Sequence, residues 1–281
     1  MIVAQLLGAF LALASAAVFG GGDFSGGVAT RRHHQFQVLA LSAIASIALL
    51  AAFALLWRET LPSPRSVLWA AAAGVAGSLG LAALYRGLSL GNAASVSPTA
   101  GVIGAAVPVV FAALTEGLPP PVRMMGFAIA IAGIWLVTRV PAADGLGSRH
   151  NLLLAVFAGI AFGAFFIFIA QVEADAVFLP LMFAKIVAFG LALALLRLKR
   201  LPLPGPRSNP IALLAGLLDA SANALYLVAS QLTRLDVAVV LTSLYPAGTV
   251  LLARGLQKEP TSRPQWVGVL LCLVAIALIV V

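Results

Sequence analysis

One lysine stands inside an otherwise apolar run, LMFAKIVAFGLALALLRLKRLP, Leu181 to Pro202. Lys185 lies about ten residues, or about 15 Å, from either end of a helix drawn through the apolar run Ala176–Leu196. Its side chain snorkels only part of that distance. It therefore needs protein or a wet cavity around it. Asp219 falls about eight residues into the next apolar run, and counted from the shared loop the two depths differ by about one helical turn. Asp219, Asn223, Tyr226 and Ser230 follow at i, i+4, i+7 and i+11, which lines one face of a helix. Their chemistry is that of solute recognition: Lys185 for a carboxylate, Asp219 for an ammonium, and Asn223 and Tyr226 for directional hydrogen bonds. A fainter copy of the stripe recurs as Ser78, Tyr85 and Ser89.

Each residue also has a plainer reading. Lys185 and Asp219 can be a structural ion pair, and Tyr85 and Tyr226 interfacial tyrosines. The third ionisable residue within a span, Asp23, lies eight residues before Arg31, near enough to a membrane rim to reach it. It sits in GGGDFSGG, where Gly20, Gly21 and Gly22 serve either close helix packing or a hinge that gates the cavity. Pro98, Pro108, Pro180 and Pro246 mark candidate bends, and Pro246 joins the gating set. No Gly-Lys-Ser/Thr follows the glycines, so they are not a phosphate loop. His33-His34 lack ligand spacing, so no metal is expected. No Ser–His–Asp, Cys–His or paired-carboxylate set shares a depth. An enzyme and a bound cofactor are therefore not expected. The single cysteine, Cys272, excludes an internal disulfide.

These residues must be positioned by helices in lipid. The chain has 281 residues, is 62% hydrophobic and 9% charged, and has a mean hydropathy of +1.08. A soluble domain carries about a quarter charged residues. So few charges cannot cover a water-facing surface, and the fold class is an all-α polytopic membrane protein. Ten apolar runs reach spanning length: Val3–Gly26, Phe36–Trp57, Val67–Leu90, Ala93–Thr115, Met124–Thr138, Leu152–Gln171, Ala176–Leu196, Ile211–Leu232, Val237–Leu256 and Trp266–Val281. The fifth lengthens if Pro119–Pro121 begins it. The first run lacks a preceding Lys or Arg and is too long for a signal peptide. No loop exceeds about a dozen residues, so function lies within the membrane.

The sequence also repeats at an offset of about 141 to 143 residues. Phe19-Gly20 returns as Phe162-Gly163, Ala83-Leu84-Tyr85 as Ala224-Leu225-Tyr226, and Glu116 as Glu259. The expected organisation is a first five-helix repeat over residues 1–140, a linker over 141–150 and a second repeat over 151–281. Five spans per copy is odd, so the second copy enters the membrane inverted. In inverted-repeat transporters the substrate site lies near the midplane between the copies.

This arrangement resembles the EamA-type drug/metabolite transporter superfamily. The likeness is carried by LTSLYPAGTVLLARGLQKEP (Leu241–Pro260), where Pro246 precedes Glu259 by thirteen positions, and less closely by SPTAGVIGAAVPVVFAALTEG (Ser97–Gly117). In that first-half stretch Ile103 occupies the proline's place. AVFGGGDFSGG (Ala17–Gly27) resembles the family's first-helix segment, with glycine where tryptophan is often found. The resemblance implies a metabolite exporter or exchanger of the inner membrane. Amino acids are the expected substrate, and lipid-linked intermediates (flipped past a basic rim that includes Arg86) or drugs are the alternatives.

Loops on one face carry twelve Lys or Arg residues, among them Arg31, Arg197, Arg207 and Arg263, against Arg58, Arg65, Arg123 and Arg234 on the other. The positive-inside rule puts the first face in the cytoplasm and both termini outside. The net charge of +8 then reports topology, and no nucleic-acid partner is expected. Trp57, Trp69, Trp135 and Trp266 fall near span ends as interfacial anchors. The expected partners are a small-molecule substrate and membrane lipid, with ten spans sufficient for a working monomer.

Overall fold

A computed structural model describes residues 2–89, 93–138, 149–174, 176–257 and 262–280. Its α-helices are α1 (Ile2–Ala29), α2 (Gln35–Leu56), α3 (Pro64–Ser89), α4 (Ala93–Thr115), α5 (Pro121–Thr138), α6 (Arg149–Ile169), α7 (Phe178–Leu198), α8 (Pro210–Leu232), α9 (Leu235–Thr242), α10 (Tyr245–Gln257) and α11 (Arg263–Val280). Among the described residues eight are long and apolar enough to cross a membrane, and Thr99–Thr115 and Leu235–Thr249 are shorter apolar helical segments. The protein is a polytopic membrane protein of two inverted five-helix repeats.

The helix ends follow local chemistry. His34 accepts the Phe36 amide and Gln37 reaches back to the His34 amide, a reciprocal cap on α2. Pro210 opens α8 behind Asn209, whose Oδ1 accepts from Ala212 and whose Nδ2 donates to the Ala29 carbonyl at the end of α1. Pro121 opens α5, which is how the fifth run reaches spanning length. Arg58 and Arg200, just past the ends of α2 and α7, both adopt left-handed backbone, at φ 52° and 55°. They stand at equivalent places in the two copies.

Packing repeats the same symmetry. α1 packs on α8 as α6 packs on α3, α9 and α10 pack on α1 as α4 packs on α6, and α2–α7 and α5–α11 cross at the pseudo-twofold axis. The tightest crossings are glycine contacts. A Cβ on Gly216 would meet the Ser42 carbonyl oxygen of α2 at 2.1 Å, and one on Gly74 would meet the Ala184 carbonyl oxygen of α7 at 2.5 Å. Gly74 and Gly216, like Ser42 and Ala184, are repeat partners. The Ser46 hydroxyl donates to the Gly216 carbonyl at 2.8 Å, adding a polar tie at the α2–α8 crossing.

The candidate bends and breaks fare differently in the structure. The ninth span is not one helix but α9 and α10, broken at Ser243–Leu244. Pro246 has no N–H to donate and its ring conflicts with the carbonyl four residues back, at Thr242, where α9 ends. The glycine-rich stretch of α1, by contrast, is unbroken helix, and α4 runs through Pro108.

Gly216→Ala and Gly74→Ala should each lower stability, by about 1 to 3 kcal/mol for overpacking. Gly190→Ala, where an added Cβ meets nothing within 4 Å, should not. Thermal melts of the detergent-purified protein check this.

Candidate functional site

The α7 lysine and the α8 aspartate meet. Lys185 Nζ lies 2.5 Å from Asp219 Oδ2, with side chains 15% and 37% exposed. The pair is thus neutralised internally yet open enough to meet a solute. One turn further along α8, Asn223 donates to the Asp219 carbonyl at 2.7 Å and to Asp219 Oδ1 at 3.1 Å. Asn223 is buried, and its Oδ1 has no hydrogen-bond partner among the described residues. An orphaned buried acceptor beside a charge pair is the kind of group that a bound molecule satisfies.

The rest of the stripe is used differently. Tyr226 is fully buried, donates to the Phe166 carbonyl at 2.9 Å, and meets the Phe166 ring edge-on at 4.7 Å. It ties α8 to α6 behind the pair. Ser78 is buried and donates to the Gly74 carbonyl within α3 at 2.7 Å. The Tyr85 side chain and all of Glu259 lie outside the described residues.

The α1 glycines form a wedge. A Cβ on Gly20 would lie 3.0 Å from the Tyr245 carbonyl oxygen and the Thr249 nitrogen of α10, while Gly21 and Gly22 face Leu218 and the Asp219 backbone of α8. Successive helix positions point to different sides, so three consecutive glycines let α1 approach α10 and α8 together. Asp23 follows them, exposed and within electrostatic reach of Asp219 and of Tyr245. Pro246 is buried beside Tyr245 at the break.

The face that holds the ends of α1 and α11 is stitched between the repeats by residues that sequence reasoning left in loops. Glu59 accepts the Val177, Phe178 and Leu179 amides, the latter two at 2.9 Å, and caps α7 with a carboxylate at its positive end. Arg234 donates to the Gly117 carbonyl at 2.7 Å and the Glu116 carbonyl at 3.2 Å, closing the end of α4. It is held by Asp236 at 2.9 Å, and Glu116 accepts the Leu235 amide in return. Burial lifts the Glu116 carboxyl above the ordinary range, and the Leu235 amide and Arg234 draw it back part way. Asp236 is fully buried. Its only sequence signal is Arg234 two positions earlier, at the mouth of an apolar run. Glu173 joins the same face through Ser63 and Ser66.

The profile of the EamA-like transporter family matches residues 6–139 and again 150–281. The chain belongs to the EamA-like transporter family. Its members are transporters rather than enzymes, so this EamA-like chain is read as a membrane transporter. A solved crystal structure, titled only as that of a protein, superposes with a TM-score of 0.76 at 18% identity, over 96% of this chain and 97% of that one. That likeness is one of fold. Comparison with curated proteins gives no match.

Two outcomes follow from this geometry. Lys185→Met and Asp219→Asn should each destabilise the transporter, and the double variant less than their sum. The coupling should be about 1 kcal/mol, reduced by the exposure of Asp219, in a double-mutant cycle of melts. The Ser63 hydroxyl, then its amide, hold the Glu173 carboxyl below the ordinary glutamate value of 4.5. A depressed carboxyl contributes stability that is present above that value and lost as pH falls through its own. The melting difference between wild type and Glu173→Gln should therefore vanish on acidification.

Proposed function

We propose that this chain is a secondary transporter of small zwitterionic metabolites, with amino acids as the substrate class. The observation that carries the reading is the Lys185–Asp219 pair, two opposite charges at mid-depth in a membrane bundle, in contact and partly open. An intramembrane ion pair marks a substrate or ion pathway by default. A zwitterion can exchange partners with it, its carboxylate meeting Lys185 and its ammonium Asp219. Asn223 Oδ1 adds an acceptor, and Tyr226 braces α8 from behind through the Phe166 carbonyl.

Alternating access then follows from the two halves, residues 1–140 and 151–281, rocking about the α2–α7 and α5–α11 crossings. The Glu59, Glu116–Arg234–Asp236 and Glu173 contacts support a state closed on the face that holds the termini. The basic face would be the open one. On the positive-inside rule that face is cytoplasmic, the termini are outside, and the direction is export from the cell across an inner membrane. Gly20, Gly21, Gly22, Asp23 and Pro246 lie where α1 bears on the broken span, and their part is gating. A single chain completes the pathway.

A second reading, lipid flipping, is favoured by one feature. An apolar cleft of about 570 Å³ lies between α1, α2 and α8, lined by Leu11, Leu50, Phe53, Ala224 and Val228, with Glu59 at its mouth.

In proteoliposomes the wild type should take up members of a pooled amino-acid mixture, and Lys185→Ala should lose most of that uptake. Equal uptake by both would make Lys185 structural. No uptake by either, with headgroup flipping of a fluorescent lipid, would favour the cleft.

A further inference from the structure

The charges of this site do not balance. Lys185 closes on Asp219, and that pair is neutral. Asp23 is a second carboxylate within electrostatic reach of Asp219. It is exposed, and among the described residues no cation or hydrogen-bond donor contacts it. Two acids against one lysine leave one net negative charge in the bundle, where an uncompensated charge is costly. A ligand cation can supply the compensating charge.

Asp23 has aromatic company. Phe19 lies four residues earlier on α1, on the same face as Asp23. The Phe19 ring meets the Tyr245 ring with centroids 6.0 Å apart and planes tilted by 51°. Tyr245 is itself within electrostatic reach of Asp23. The three side chains converge because the Gly20–Gly22 wedge draws α1 onto α8 and α10 at once. Tyr245 owes its place to the break before Pro246, which starts a new helix at that residue. A carboxylate that shares a helix face with one aromatic ring and lies within electrostatic reach of a second suits ammonium: the acid supplies the charge, and the rings attract a cation without demanding hydrogen bonds.

We propose that Asp23, Phe19 and Tyr245 form a second cation-binding position, separate from the Lys185–Asp219 pair, and that the preferred substrate carries one net positive charge. A basic amino acid fits this arithmetic. Its carboxylate meets Lys185, its α-ammonium Asp219, and its side-chain cation Asp23 and the two rings. The proposal rests on the transporter reading above and narrows its substrate class.

The test is calorimetric binding to purified full-length protein with three probes: L-lysine, L-norleucine and cadaverine. L-Norleucine keeps the α-groups and an unbranched aliphatic side chain but lacks the side-chain ammonium, and cadaverine lacks the carboxylate. Wild type should bind L-lysine about tenfold more tightly than L-norleucine, a difference of ~1.4 kcal/mol. Asp23→Asn should erase that preference by weakening L-lysine and leaving L-norleucine unchanged. Tyr245→Leu should weaken L-lysine about three- to tenfold, whereas Tyr245→Phe, which keeps the ring, should not. Because L-norleucine binding is retained, it reports that each variant is folded. Equal binding of L-lysine and L-norleucine by wild type, or a preference that survives Asp23→Asn, overturns the proposal while leaving the amino-acid reading standing. Cadaverine binding that depends on Asp23, with neither amino acid bound, keeps the cation position and overturns the amino-acid reading. Failure of all three probes to bind wild type overturns both.

Discussion

Close approach of helix backbones is the constraint on which this structure depends. Lipid tails are as apolar as leucine side chains, so burial gives little drive for one membrane helix to join another. Packing and internal hydrogen bonds must do it. Gly216 against Ser42 and Gly74 against Ala184 bring α8 onto α2 and α3 onto α7 at distances that no side chain would permit. The two contacts are one contact, repeated by inversion. With the α2–α7 crossing, which joins the two pairs, they set the relative height of α7 and α8, and with it the meeting of Lys185 and Asp219. A shift of one helical turn in either crossing would separate that pair and leave two unpaired charges in the membrane.

The same economy appears at the ends of the bundle. Every helix terminus leaves amides or carbonyls without partners inside the helix, and in this protein several are satisfied from the opposite repeat. Glu59 of the first half caps α7 of the second, and Arg234 of the second half closes α4 of the first. Such contacts join the halves on one face. The other face is tied as well, by Gln37 to the Pro202 carbonyl and by the buried Asn209 to the Ala29 carbonyl.

The glycines of α1 show why composition alone is ambiguous about mechanism. GGGDFSGG suggests a break, because glycine weakens a helix. In the structure the helix is continuous, and the glycines serve contact: one to α10 and two to α8. The break falls instead in the ninth span, where a single proline removes one donor and crowds one carbonyl. Two irregularities far apart in sequence thus become one assembly, a straight helix pressed against a broken one, with Asp23 at the junction.

Much of this was legible in the sequence. Hydropathy and the near absence of charge dictated a membrane bundle, the constant offset between Phe19-Gly20 and Phe162-Gly163 dictated two copies, and an odd number of spans made them inverted. The depths of Lys185 and Asp219 followed from counting residues at 1.5 Å each. Depth is a one-dimensional quantity, so a sequence determines it. Facing is not. Whether Tyr226 looks into the site or back toward Phe166, whether Asp236 belongs to a loop or to a buried clamp on Arg234, and whether Gly20 bends its helix or receives another all depend on how helices rotate and cross. Those angles are set by contacts between residues far apart in the chain, and only the tertiary structure decided them.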